Sequence, residues 1–156
     1  MNSTKLDMLN KIMCVEDDHL LQLFFNVLVE QADFAEEIIP VFNGREALSY
    51  YKDLLNSAEE PATDSPDLIF LDLNMPVMGG LEFLNEFEKQ FLDYFPMTGI
   101  VILTSSADPA EMENVKQRPM VLDYLAKPLS YGMLDDLKQA VITEKGPYGT
   151  VTFAGS

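Results

Sequence analysis

Short apolar runs alternate with longer segments of helical periodicity along most of this chain. Each run is bounded by polar or turn residues, which is typical of buried strands. Strands apolar on both faces favour a parallel sheet, joined by right-handed crossovers and covered by helices on each side. The four predicted strands are Ile12 to Val15, Ile38 to Phe42, Leu68 to Leu71 and Ile100 to Leu103.

A fifth, weaker strand is predicted over Tyr124 to Ala126 and a last helix over about Tyr131 to Val141, with Ser130 as its N-cap. The stretch from Asn56 to Pro66 is rich in small, acidic and proline residues and is predicted to be a loop. The count is then five strands and five helices in one doubly wound α/β domain. Such sheets bind ligands at the carboxyl ends of their strands.

Composition bounds the size of the fold and the choice of partners. The chain has 156 residues, of which 47% are hydrophobic, enough for one core and too few for two. Ten Lys and Arg against 26 Asp and Glu give a net charge of −16, which repels nucleic-acid phosphates and anionic membranes. The only cysteine, Cys14, lies in an apolar run, and no apolar stretch is long enough to cross a membrane. We therefore expect a cytoplasmic protein with no nucleic-acid or membrane partner.

The predicted domain occupies residues 11–144. Residues 1–10 are predicted to be an N-terminal extension, and residues 145–156 a tail that is too short for an output domain. Val151 to Phe153 in this tail could add a strand to a partner's sheet edge or lie disordered, and composition does not separate the two.

Carboxylates collect where the first and third predicted strands end. Glu16, Asp17 and Asp18 follow the first strand, and Asp72 follows the third. Carboxylates at close range oppose one another's ionisation, and a hard divalent cation with oxygen ligands relieves that repulsion, so Mg²⁺ is the expected cofactor. The alternative is that the first three form only a solvated helix start, since acids are favoured in a first helical turn.

The fourth and fifth strands bring hydroxyls and a cation to the same edge. Thr104, Ser105 and Ser106 end the fourth strand, and Lys127 follows the fifth. A divalent cation and Lys127 would together balance the three negative charges of Glu16, Asp17 and Asp72 and leave a site able to accept a phosphoryl group. Asp72 is the candidate nucleophile.

Four motifs, in this order and spacing, resemble the phosphate-receiver domain of two-component response regulators, chemotaxis receivers included. They are VEDD from Val15, LIFLDLNMPVMGG around Asp72, VILTSS at the end of the fourth strand and DYLAKPL around Lys127. The resemblance covers about Lys11 to Thr143. It implies a flavodoxin-like fold with the sheet order 2-1-3-4-5.

The resemblance makes Asp72 the phosphorylated residue. It implies that Asp17 and Asp72 ligate Mg²⁺ directly, that Glu16 holds a metal-bound water and that Asn74 contributes its backbone carbonyl. The chain departs from the commoner pattern at Glu16, where most members of the family have Asp. The chain would be a phosphoacceptor that assists its own phosphorylation and dephosphorylation, and not a conventional turnover enzyme.

The resemblance also implies a phosphoryl-binding and switching set. Thr104 and Lys127 would bind the phosphoryl group, and Tyr124 would turn inward with Thr104 as a switch, although core packing is an open alternative for Tyr124. Lys127-Pro128 matches a position that usually has a cis peptide bond. The segment before the fifth strand lacks the Gly-Ala pair of the usual pattern.

Two further residue types carry weaker signals. His19 follows the acidic run, and we interpret it as a surface imidazole and not as a phosphodonor, which would belong to another protein. Met75 and Met78 lie in the loop after Asp72, where loop packing is favoured over contact with a partner.

The leading hypothesis is a single-domain response regulator in a two-component phosphorelay. A sensor histidine kinase or histidine phosphotransfer protein would supply the phosphoryl group. A downstream protein would bind the face formed by the fourth helix, fifth strand and fifth helix. One alternative is a haloacid-dehalogenase-like phosphatase, disfavoured because Asn74 stands where that chemistry needs a second Asp. The other is a receiver-like interaction module that is never phosphorylated.

Overall fold

The structure, a computed structural model, describes residues 8–105 and 108–144. Its strands and helices alternate as the apolar runs predict. The strands are β1 Leu9–Val15, β2 Ala35–Val41, β3 Leu68–Asp72, β4 Gly99–Thr104 and β5 Val121–Ala126. The helices are α1 His19–Gln31, α2 Gly44–Ser57, α3 Pro61–Asp64, α4 Gly80–Gln90, α5 Pro109–Lys116 and α6 Tyr131–Glu144.

The five strands form one parallel sheet in the order β2-β1-β3-β4-β5. This confirms the flavodoxin-like fold and the order 2-1-3-4-5. Val15 pairs with Val41 of β2 and with Leu71 of β3, so the carboxyl ends of these strands lie side by side. Residues that follow β1 and β3 are thereby brought to the same edge of the sheet.

The sheet is buried on both faces, as the apolar runs predict. Phe70 of β3 packs on one face with Phe25 of α1 and Leu134 of α6. The neighbouring β3 residue Leu71 points to the other face, toward a cluster that includes Tyr51 of α2 and residues from α4 and α5. Alternation along β3 therefore supplies both layers of the core.

The structure differs from the prediction at several boundaries. β1 begins at Leu9, two residues inside the predicted N-terminal extension, because Leu9 is buried and pairs with Ala35. The predicted loop from Asn56 to Pro66 contains the helical turn α3, so the described residues have six helices and not five. β5 begins at Val121 and its residues are only partly buried, which explains its weak apolar signal.

Several sequence predictions concern residues outside the described ranges. These are residues 1–7, Ser106, and the tail of residues 145–156 with its possible strand at Val151 to Phe153. Within residues 8–105 and 108–144, no helix combines the length and the apolar character needed to cross a membrane.

Candidate functional site

The acidic run after β1 provides both the N-cap of α1 and two members of a carboxylate cluster. Asp18 is the N-cap of α1, and its carboxylate accepts hydrogen bonds from the backbone N–H groups of Leu20 and Leu21 at 2.8 and 3.1 Å. The helix-start interpretation therefore holds for Asp18. Glu16 lies deeper at the edge of the sheet and is 5% exposed.

Glu16, Asp17 and Asp72 form the predicted carboxylate cluster. One carboxylate oxygen from each lies within 4.8 Å of the others, and Glu16 and Asp72 are buried. Three anionic oxygen ligands at this spacing suit a hard cation such as Mg²⁺. The donor set therefore fits the metal that the sequence predicts. Asn74 lies beside it, and its backbone N–H donates to Asp72 Oδ1 at 3.1 Å.

Lys127 brings a positive charge into this cluster. Its Nζ lies 2.7 Å from Glu16 Oε1 and 3.2 Å from Asp72 Oδ2, and the Lys127-Pro128 peptide is cis, as the resemblance implies. Burial alone would lower the pKa of Lys127, but the hydrogen bond to Glu16 and the charge of Asp72 outweigh burial and raise it. Burial raises the pKa of Glu16, an effect that the hydrogen bonds from Lys127 and Asp18 oppose only in part.

Thr104 and Tyr124 lie on the side of β3 that is opposite to β1. Thr104 ends β4 and is 1% exposed, and Tyr124 lies on the neighbouring β5, half-buried. Burial and the negative charge of Glu111 raise the pKa of Tyr124, while a side-chain hydrogen bond with Thr104 lowers it. The two predicted switch residues are thus in direct contact. The backbone N–H of Lys127 also donates to the Thr104 carbonyl at 2.9 Å.

Sequence reasoning missed Gln22. This side chain is 4% exposed, and its Nε2 lies 3.0, 3.1 and 3.0 Å from the carbonyl oxygens of Cys14, Glu16 and Val41. It therefore ties α1 to the ends of β1 and β2 next to the carboxylates. The signal was present, because Gln22 shares the inward-facing spacing of Phe25 on α1 and is the polar member of that buried face.

The remaining candidate residues take part in packing or in backbone hydrogen bonds. The ring of His19 stacks on Phe42 with centroids 4.4 Å apart. Met75 is buried, as loop packing predicts, and the carbonyl of Met78 accepts the N–H of Gly44 at 3.1 Å. The loop after Asp72 is thereby attached to the start of α2.

An apolar surface adjoins the site along α1. Leu20, Leu23, Phe24 and Val27 follow one another at helical spacing and are 64, 66, 47 and 49% exposed; we call them the α1 stripe. Beside the stripe is a cavity of about 320 Å³. It is lined by Leu21, Phe24, Leu28 and Leu129 among others, together with Glu16, Ser105 and Lys127. Phe24 belongs both to the stripe and to the lining of the cavity. The α1 stripe is therefore next to the carboxylate cluster.

Comparison with known proteins gives one consistent result. A family model described as the response regulator receiver domain matches residues 12–141. The alkaline phosphatase synthesis transcriptional regulatory protein SphR of Synechococcus elongatus is 30% identical over 121 residues, which cover 76% of this chain and 43% of that protein. The chain spans about half the length, or less, of the curated relatives it matches first.

Solved structures agree with the fold. A two-component response regulator from Cytophaga hutchinsonii superposes with a TM-score of 0.76 at 24% identity, covering 88% of this chain and 99% of that chain. The receiver domain of sensor histidine kinase PA1611 from Pseudomonas aeruginosa has a TM-score of 0.65 at 25% identity, covering 86% and 98%. That structure has a magnesium ion coordinated in its active-site cleft.

Proposed function

The chain belongs to the response regulator receiver family, and on that basis we propose that Asp72 accepts a phosphoryl group from a histidine kinase or histidine phosphotransfer protein. The observation that carries the proposal is the setting of Asp72. It is buried at the end of β3, beside two further carboxylates and 3.2 Å from Lys127. The chain would act as a phosphoacceptor that assists its own phosphorylation and dephosphorylation.

In the proposed transfer, a carboxylate oxygen of Asp72 forms a bond to phosphorus while the bond between phosphorus and the donor nitrogen breaks. The electron pair of that bond stays with the donor imidazole, and Asp72 becomes an acyl phosphate. The N–H of Asn74, which donates to Asp72 Oδ1 at 3.1 Å, orients the carboxylate. No general base is required, since the nucleophile is a carboxylate oxygen.

The other site residues would position and neutralise charge. Asp17 and Asp72 would ligate Mg²⁺, with Glu16 acting through a water and Asn74 through its carbonyl. A bound Mg²⁺ would neutralise charge on the phosphoryl oxygens. Lys127 would bind one phosphoryl oxygen through its ammonium, and the Thr104 hydroxyl would donate a hydrogen bond to another.

The output is proposed to be a change in a protein-binding surface. Movement of Thr104 toward a phosphoryl group would alter its hydrogen bond with Tyr124 on β5. Tyr124 lies next to a surface cleft that also includes Met112 and Lys116 of α5. The face formed by α5, β5 and α6 is therefore the proposed binding site of a downstream protein. It is the face predicted from the sequence, where α5 and α6 are the fourth and fifth helices because α3 was not predicted.

The phosphodonor is proposed to dock on the α1 stripe. The donor imidazole must approach Asp72 from the carboxyl edge of the sheet. The α1 helix begins at that edge, and Phe24 of the stripe lines the cavity that Glu16 and Lys127 also line. Exposed apolar side chains at helical spacing suit an amphipathic helix of a partner. The donor face and the output face would then lie on different elements.

The test is the intact-protein mass after treatment with acetyl phosphate, with and without Mg²⁺. The native chain is expected to gain one phosphoryl group in a magnesium-dependent manner, and Asp72→Asn is expected to gain none. Asp93→Asn, which replaces an exposed Asp, is the matched control and should be labelled like the native chain.

Undiminished labelling of Asp72→Asn would reject the assignment of Asp72. If the native chain gains no mass, binding of beryllofluoride distinguishes a short-lived phosphoryl group from a module that is never phosphorylated. Steady hydrolysis of a generic phosphate ester that depends on Asp72 would instead favour a phosphatase.

A further inference from the structure

Both carboxylate oxygens of Glu16 have donors within the protein. Oε1 is 2.7 Å from Lys127 Nζ, and Oε2 accepts the backbone N–H of Asp18 at 3.1 Å. The Glu16 side chain is 7% exposed. Lys127 Nζ is 3.2 Å from Asp72 Oδ2, so the ammonium lies closer to Glu16 than to the acceptor.

The length of the glutamate side chain permits this contact. Aspartate at position 16 would withdraw the carboxylate by about one carbon–carbon bond, about 1.5 Å, and the 2.7 Å contact with Lys127 would open beyond hydrogen-bond range. The 2.7 Å contact between Glu16 and Lys127 therefore depends on the length of the glutamate side chain.

The Lys127 ammonium contacts two of the three carboxylates that would attract a divalent cation. It neutralises part of the charge of Glu16 and Asp72, and it repels a second cation brought close to the same carboxylates. A cation that recruits Glu16 must first compete with this ammonium.

We propose that the Glu16–Lys127 pair weakens the metal site: the Lys127 ammonium, bound to Glu16 at 2.7 Å, lowers the affinity of the carboxylate cluster for divalent cations until a cation competes for Glu16. The inference rests on the proposed function, in which this cluster binds Mg²⁺. Coupling between two binding events is reciprocal, so cation binding weakens the pair by as much as the pair weakens cation binding. Glu16 is thus a positioning residue that acts through Lys127.

The test is a double-mutant cycle with Mg²⁺ affinity as the readout, measured by isothermal titration calorimetry at fixed pH and ionic strength. Glu16→Asp keeps the charge and removes the contact, so Kd is expected to fall about fivefold, the size typical of a partly exposed ion pair. In the Lys127→Gln background the same change is expected to leave Kd unaltered. Glu36→Asp, an exposed control on β2, should not change Kd in either background.

The outcomes separate the possible failures. A lower Kd for Glu16→Asp that persists with Lys127→Gln would mean that aspartate simply coordinates the metal better, and would overturn the inference. An unchanged or higher Kd for Glu16→Asp in the native background would overturn it as well. No Mg²⁺ binding by the native chain would reject the metal site of the proposed function itself.

A second measurement needs no variant at Lys127, in case Lys127→Gln does not fold. Nitrogen-detected NMR of the lysine ammonium groups reports whether Lys127 is held in an ion pair. Its signal in the native chain is expected to change on Mg²⁺ addition, and in the absence of metal it is expected to differ between the native chain and Glu16→Asp. Identical signals in the metal-free native chain and Glu16→Asp would overturn the inference.

Discussion

The side-chain Nε2 of Gln22 donates to the backbone carbonyl of Glu16 across 3.1 Å, which fixes α1 against the loop that carries the acidic residues. The same nitrogen lies 3.0 Å from the carbonyls of Cys14 and Val41. One buried amide thus connects the ends of two strands. The position of Glu16 therefore depends on a residue that is not itself a candidate ligand.

Replacing Gln22 by Met is expected to destabilise the fold. Methionine has a similar volume but no donor, so buried carbonyls lose a hydrogen bond, at a cost of about 1–3 kcal/mol in the free energy of unfolding. Urea unfolding measures the loss. The control is Gln90→Met, which removes an exposed contact with Glu86 and should change stability by less than about 0.5 kcal/mol. Equal losses in both variants would contradict the role of Gln22.

Cys14 is expected to make stability fall at alkaline pH. Burial, with a smaller contribution from the charge of Glu16, raises the pKa of the Cys14 thiol well above its ordinary value of 9.0. The unfolded thiol ionises above that pH while the folded one stays protonated, so the contribution to stability is present below pH 9 and is lost as pH rises above it. Urea unfolding at pH 8 and 10 should show a shallower fall for Cys14→Ala than for the native chain. A parallel fall in both would reject the prediction.

Replacing Leu23 in the α1 stripe by Gln is expected to slow phosphoryl transfer from a protein donor. A 66% exposed leucine contributes little to the fold, but loss of an apolar contact in an interface costs about tenfold in affinity. The rate with a phosphorylated histidine phosphotransfer protein that labels the native chain should fall, while the rate with acetyl phosphate should not.

The control for this variant is Met97→Gln. Met97 is 56% exposed but precedes β4, at the amino end of the sheet and away from Asp72. It should leave both rates unchanged. An equal slowing by both variants, or a slowing with acetyl phosphate, would argue against docking on the α1 stripe.

Gly80→Ala is expected to destabilise the loop that follows Asp72. A Cβ at Gly80 would lie 2.7 Å from the Cα of Leu73 and 2.8 Å from the carbonyl oxygen of Asp72, so backbone must move. Overpacking of this kind costs about 1–3 kcal/mol in the free energy of unfolding. At Gly132 of α6 the nearest atom to a Cβ is 4.0 Å away, so Gly132→Ala should be neutral or stabilising by about 0.4–1 kcal/mol. Thermal unfolding of the two variants compares the sites.

The sequence is sufficient to predict the strands that are buried on both faces of the sheet. The run from Leu68 to Leu71 and the run from Ile100 to Leu103 are apolar at every position, so their signal does not depend on which face is covered. β5 was predicted too short because it is an edge strand whose partly buried residues carry a mixed signal. The turn α3 was missed because a four-residue helix is too short to show periodicity.

The pattern of apolar runs is enough to predict the sheet and the residue types at its carboxyl edge, because strand ends in a parallel sheet must share an edge. The roles of the individual residues at that edge follow from the three-dimensional packing. It assigned Asp18 to the cap of α1 and joined Glu16 to Lys127 over 111 positions of sequence. It also placed Gln22 beneath the cluster. These contacts depend on side-chain length and on the distance between elements, and residue type and spacing along the chain specify neither.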